Sequence, residues 1–149
     1  MIPLIIPGTM DSLKPVRDYV NRAAMEAGLD KKDRYGLCLA VDEIATNIVM
    51  HGYQEAGRSG EIKVEGRLTS EALIIILEDT GAEFDPTTRS LPTEEDLERP
   101  LEDRPIGGLG ILLTLDGVDD YRYERAGTVN RNLFVKRRPA SPGSGSPSP

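Results

Sequence analysis

Apolar residues recur at two different spacings along this chain, and the spacings divide it into helices and strands. Leu13, Val16, Val20, Ala23, Ala24 and Ala27 fall at helical intervals and predict a helix from about Asp11 to Ala27, with Pro15 in its first turn and Gly28 capping its end. Asp30, with Asp33 three residues on, predicts the N-cap of a second helix. There Leu37, Val41, Ile44 and Ile48 make an apolar face, Glu43, Asn47 and His51 occupy the opposite one, and Gly52 is expected to end the helix. Ile2 to Ile6 reads as a short strand whose prolines place it first or at an edge. Ile62, Val64, Gly66 and Leu68 alternate with charged residues, as in a half-buried strand; Leu73 to Leu77 is unbroken apolar sequence, as in a central one. The turn Thr69-Ser70-Glu71 joins them as an antiparallel pair, and Asp120 to Glu124 with Asn132 to Lys136 predicts a final hairpin across Ala126-Gly127-Thr128.

Two stretches lack periodicity. Residues 82 to 106 contain four prolines and an acidic cluster from Glu94 to Asp103, a long loop of the kind that is functional or disordered. A short helix is expected at Ile111 to Leu115. Residues 139–149 are rich in Ser, Gly and Pro and read as a disordered tail or a linker, leaving residues 1–138 as one domain. The 149 residues suffice for one core. A net charge of −7 disfavours nonspecific nucleic-acid binding and suits a basic partner surface. Cys38 is the sole cysteine, which fits a reduced cytoplasm and excludes an intrachain disulfide. Nothing approaches the roughly 20 apolar residues of a membrane helix, and the N-terminus lacks the basic flank of a signal peptide. Cys38, Met25 and Met50 are expected to be packing residues, and Tyr121 and Tyr123 to share one strand face as core or edge cover.

Three segments carry candidate chemistry. Glu43, Asn47 and His51 lie four residues apart, so on a helix each stands about 5–6 Å from the next. A carboxylate beside a carboxamide suits both a hydrated magnesium ion and a hydroxyl losing its proton; a solvated helix face is the alternative. His51 fits a helix-end residue bonded to backbone better than a ligand. Asp79-Thr80-Gly81 ends the central strand, either as a simple turn or as a carboxylate accepting from a buried base, with Gly81 letting a ligand approach the backbone. Gly107-Gly108-Leu109-Gly110 precedes the short helix and would point free N–H groups at an anion, although flexible turns look the same. It is neither a Rossmann fingerprint nor a P-loop.

The combination and order of these segments resemble the GHKL (Bergerat-fold) ATPases. Glu43 to Tyr53, Phe84-Asp85-Pro86, the glycines and the terminal Tyr123, Gly127, Thr128, Leu133 and Lys136 look more closely like the bacterial anti-sigma-factor serine kinases, over residues 2 to 138. The resemblance implies an α+β, two-layer sandwich with a mixed, largely antiparallel sheet packed on helices. It implies ATP or ADP with Mg2+ as ligands. At the matching positions Glu43 would be the general base, Asn47 the protein ligand to magnesium, and Asp79 the acceptor for the adenine amino group. Gly81 would shape the adenine pocket, and Thr128 would hold the adenine end through water. Gly107, Gly108 and Gly110 would bind phosphates through backbone amides beneath a lid of about Thr87 to Ile106. Arg104 would face phosphate or pair with a lid acid.

The implied activity is a serine/threonine protein kinase that phosphorylates a STAS-type anti-sigma-factor antagonist and, in its ATP form, holds a sigma factor. A homodimer is a further implied partner; nucleic acid and membrane are not. Glu83 stands where the histidine-kinase branch has a second glycine, and the sole histidine, His51, lies inside the helix motif. An autophosphorylating histidine kinase is therefore disfavoured. Two other readings stay open: a non-catalytic module whose nucleotide switches partner affinity, and a scaffold that has lost the nucleotide.

Overall fold

The computed structural model describes residues 1–84 and 116–139. The expected helix at 111–115, most of the long loop, Arg104, the glycine run Gly107 to Gly110, and residues 140–149 lie outside the described residues. Five strands form one sheet: β1 (Leu4–Pro7), β2 (Glu61–Leu68), β3 (Ala72–Asp79), β4 (Asp120–Ala126) and β5 (Val129–Arg137). Their order is β1-β2-β3-β5-β4, and every pairing among them is antiparallel. Two helices, α1 (Leu13–Glu26) and α2 (Lys31–Asn47), pack on each other and on the sheet.

The alternation in sequence decides which sheet face they cover. Ile62 and Val64 of β2, Leu73, Ile75 and Leu77 of β3 and Phe134 of β5 are buried against Val16, Val20, Leu37, Val41 and Ile44. The α1 cap is as expected: Gly28 takes φ +77, its N–H donates to Met25, and the Leu29 N–H donates to Ala24, closing a Schellman motif. Asp30 accepts from the Asp33 N–H at 2.8 Å and starts α2. Pro7 is tolerated because β1 is an edge strand. The first strand sits two residues later than expected, and Ile2 is exposed.

Two expectations need correcting. Met25 is not a packing residue but is 60% exposed. Gly52 does not end the second helix. Beyond Asn47 the chain widens into π-helical turns over Ile48–Gln54, in which the Glu55 N–H reaches back to the Met50 carbonyl and the Arg58 N–H to Tyr53. Such turns are rare and concentrate at functional sites. The wider turn carries the Gly52 carbonyl to the end of β3, where it accepts from the Ala82 N–H at 2.8 Å.

Candidate functional site

Asn47 is the last residue of α2, where regular helix gives way to π-helical turns. It is 6% exposed, so the solvated-face alternative fails for it. Its Nδ2 is buried with no hydrogen-bond partner among the described residues. A buried amide left unsatisfied costs about 1–3 kcal/mol, so it marks a place where a ligand is expected. The two ends of a carboxamide are interchangeable by a flip, which would offer the oxygen to a cation. Glu43, one turn earlier, is half-buried. Burial, and secondarily the neighbouring Asp42 carboxylate, push its carboxyl above the ordinary range, the direction that suits a base working near neutral pH. Among the described residues no three His, Cys, Asp or Glu side chains converge. Among the described residues Asn47 could serve a divalent cation as a protein donor, with phosphate oxygens and water completing its shell, since magnesium keeps several waters and takes few protein ligands.

Among the described residues the His51 side chain bonds Glu55 and not backbone. Its Nδ1 lies 2.9 Å from Glu55 Oε1, and its ring stacks on Phe84 with centroids 4.7 Å apart.

The Asp79 carboxylate ends β3 and is 4% exposed. Its Oδ1 accepts from the Gly81 N–H and from Asn130 Nδ2, both at 2.9 Å. Burial pushes its pKa up; these two hydrogen bonds and the Arg125 charge pull the other way. Tyr53 braces the next residue: its hydroxyl donates to the Glu61 carbonyl at 2.6 Å and accepts from the Thr80 N–H at 3.0 Å. The close backbone partner of Gly81 is Gly52. A Cβ on Gly81 would stand 2.7 Å from the Gly52 carbonyl oxygen. This glycine therefore serves a helix-to-strand contact, whatever it does for a ligand.

Ile48 and Gly52 on the helical side, Asp79, Asn130 and Asn132 on the sheet, and Phe84 line one crevice. Its cavity volume is about 10 Å³, room for little more than one water, so its walls must part to admit a purine. Asp79 and Gly81 are thus brought together beside the helix that carries Glu43 and Asn47. Thr128 is not; it sits at the exposed tip of the β4–β5 hairpin, two residues before Asn130. Arg104, Gly107, Gly108, Leu109 and Gly110 lie outside the described residues. The sequence reading missed Asn130, Asn132 and Arg125, and took Tyr123 as core or edge cover rather than as a partner of Asn130. One signal was present: Asn130 and Asn132 occupy the same face of β5 as buried Phe134, where apolar residues are expected. Cys38 packs half-buried against the core, and burial pushes its thiol up, away from reactivity.

Comparison with known proteins places this geometry. The histidine kinase-like ATPase domain family matches residues 6–133. The chain belongs to this family. The serine-protein kinase RsbW of Bacillus cereus (strain AH187) is 30% identical over 139 residues, covering 91% of this chain and 86% of the relative. RsbW of Bacillus mycoides (strain KBAB4) is 29% identical with the same coverage. Among solved structures, the RsbU and RsbW domains of Rv1364c from Mycobacterium tuberculosis superpose with a TM-score of 0.61 at 20% identity. That match covers 94% of this chain and 34% of the other. The histidine kinase domain of the blue-light-activated kinase EL346 from Erythrobacter litoralis gives 0.52 at 16% identity, over 81% of this chain and 60% of the other. At these identities the two structures bear on fold alone, and both carry the ATPase fold of this family. Among the described residues no helix is long and apolar enough to cross a membrane.

Proposed function

We propose that this chain is an anti-sigma factor with ATP-dependent protein-serine/threonine kinase activity, phosphorylating a serine of a STAS-type antagonist in the cytoplasm. The observation that carries the reading is the buried Asn47 Nδ2, without a partner among the described residues, one helical turn beyond half-buried Glu43 on the helix that runs into the Asp79 crevice. The RsbW relatives support it through their name, serine-protein kinase. Asp79 accepts from the purine amino group. Asn47 holds the magnesium, which when bound neutralises charge on the phosphates. Glu43 takes the proton from the incoming serine hydroxyl, and its raised pKa makes it a better base than an exposed glutamate. Gly107, Gly108 and Gly110 would hold phosphates through backbone N–H groups, and Arg104 would supply a phosphate-facing cation.

A face for protein partners accompanies this chemistry. The groove between α1 and α2, with a cavity volume of about 510 Å³, is lined by Lys14, Arg17, Lys31 and Arg34 against a single carboxylate, Asp18. Asp42 pairs with Arg17 at 3.4 Å, and Tyr35 stands 71% exposed between the cations. Such a surface on a chain of net charge −7 fits an acidic partner surface.

The test is transfer of radiolabelled phosphate from ATP to a candidate antagonist. Glu43→Ala is expected to lose transfer by about 100-fold or more while still binding ADP, the usual scale for a lost general base. Undiminished transfer in that variant removes Glu43 from the mechanism. Nucleotide binding and partner capture with no transfer in the unmodified chain would favour the non-catalytic module.

A further inference from the structure

Asn130 lies directly across the ladder from Asp79 on β5 and is 1% exposed. Its amide is fully committed. Nδ2 donates to Asp79 Oδ1 at 2.9 Å and to the Gly81 carbonyl at 3.0 Å. Oδ1 accepts from the Tyr123 hydroxyl at 2.6 Å and from Arg125 Nη1 at 2.7 Å. Donors on one side and acceptors on the other leave a single orientation for this amide, and no group spare to read a ligand. Arg125, opposite Asn130 on edge strand β4, also reaches the Gly81 carbonyl at 3.4 Å. The chain thus runs from an edge-strand guanidinium, through a buried amide, to a buried carboxylate. Among the described residues both hydrogen bonds to Asp79 fall on Oδ1, so Oδ2 is the oxygen left for a ligand.

We propose that Arg125, acting through Asn130, is a positioning residue for recognition of a 6-amino purine: it keeps Asp79 an acceptor-only carboxylate with Oδ1 tied inward and Oδ2 turned to the ligand. This rests on reading Asp79 as the acceptor for the purine amino group. The physical need is clear from the burial. A buried carboxyl favours its protonated form, and a protonated carboxyl offers an O–H where the ligand offers an N–H. Among the described residues the titratable groups beside Asp79 are Arg125 and Tyr123 of β4, both bonded to Asn130, with Glu83 acting on Tyr123; the helical wall is Ile48 and Gly52, and Ile62 is the cross-strand neighbour on β2. Arg125 is the cation in this set; its charge, together with the Asn130 and Gly81 hydrogen bonds, opposes the larger effect of burial. The Asn130 bond transmits orientation, because its geometry is fixed from both ends.

The test measures ADP and IDP binding by calorimetry on the full chain from pH 5 to 8, in the unmodified protein, Arg125→Met, Arg125→Lys and Asp79→Asn. IDP carries an oxygen in place of the amino group. Arg125→Met is expected to weaken ADP binding about tenfold at neutral pH, the scale of one lost charge-assisted hydrogen bond. It should leave IDP binding little changed and move the acid limb of ADP binding to higher pH. Arg125→Lys, which keeps the charge, should restore the limb; a merely structural loss would weaken both nucleotides and leave the limb in place. If Asp79→Asn loses ADP selectivity while Arg125→Met keeps unmodified affinity and pH profile, the positioning role is overturned and the Asp79 reading stands. If Asp79→Asn binds ADP as the unmodified protein does, both fall.

Discussion

The residues that matter most here are polar groups buried where an apolar side chain would be cheaper. Asn47 keeps a buried Nδ2 without a hydrogen-bond partner among the described residues. Asn47→Ala should therefore leave stability unchanged or raise it by about 1 kcal/mol, because the desolvated amide is gone, while abolishing the magnesium dependence of nucleotide binding. Urea midpoints and ADP titrations with and without magnesium check both halves; a large loss of stability would show that Asn47 is structural. Asp79 has the opposite pH signature from a salt-bridged carboxylate. Burial raises its folded pKa above the unfolded value, so the folded state holds its proton longer. Its contribution is present at low pH and lost as pH rises from the ordinary carboxylate range through the raised folded value. Asp79→Asn should flatten that part of the stability profile, as read by urea midpoints at a series of pH values.

Between elements, the decisive contact joins the π-helical turns to the end of β3. The Gly52 carbonyl accepts from Ala82 and fills the space a Gly81 side chain would need. Both partners are backbone and cannot swing aside. Gly81→Ala should cost about 1–3 kcal/mol of stability, the scale of an overpacked contact, and weaken nucleotide binding as the β3 end shifts. Thermal melts and ADP calorimetry report the two effects; an unchanged melting temperature would show that the contact yields easily. The same contact explains why the helix continues past Gly52. Regular α-helical turns are narrower, and the i to i+5 bonding of Met50 with Glu55 and Tyr53 with Arg58 carries this stretch on to the crevice wall.

At the scale of the whole molecule, one groove is mainly cationic. A chain of net charge −7 gathers Lys14, Arg17, Lys31 and Arg34 along one groove between its helices. Reversing two of them, Arg17→Glu with Lys31→Glu, should weaken capture of an acidic partner by about tenfold or more, with the effect shrinking at high salt, since exposed charges act within a Debye length. Surface plasmon resonance against a candidate sigma factor or antagonist, at two ionic strengths, measures this. ADP affinity should stay unchanged, because the groove lies on the outer side of the helices.

Much of the fold was legible because its signals are local. Cap residues Gly28 and Asp30, the alternation in β2 and the hairpin at Gly127 act over a few residues, and the structure follows them. Glu43, Asn47, Asp79 and Gly81 could be singled out because polar or glycine residues break an apolar pattern. Long-range placement was not legible. That Asn47 Nδ2 finds no partner among the described residues, that Gly81 faces Gly52 and not open space, and that Asn130 stands opposite Asp79 all depend on which segments distant in sequence the fold brings together. A one-residue shift of β5 would turn Asn130 and Asn132 to the other face, so only the assembled sheet fixes what meets the Asp79 carboxylate. Sequence alone determined the elements and the residue types available for a nucleotide; tertiary pairing decided which of them share a crevice, because burial and hydrogen bonding are properties of neighbours in space.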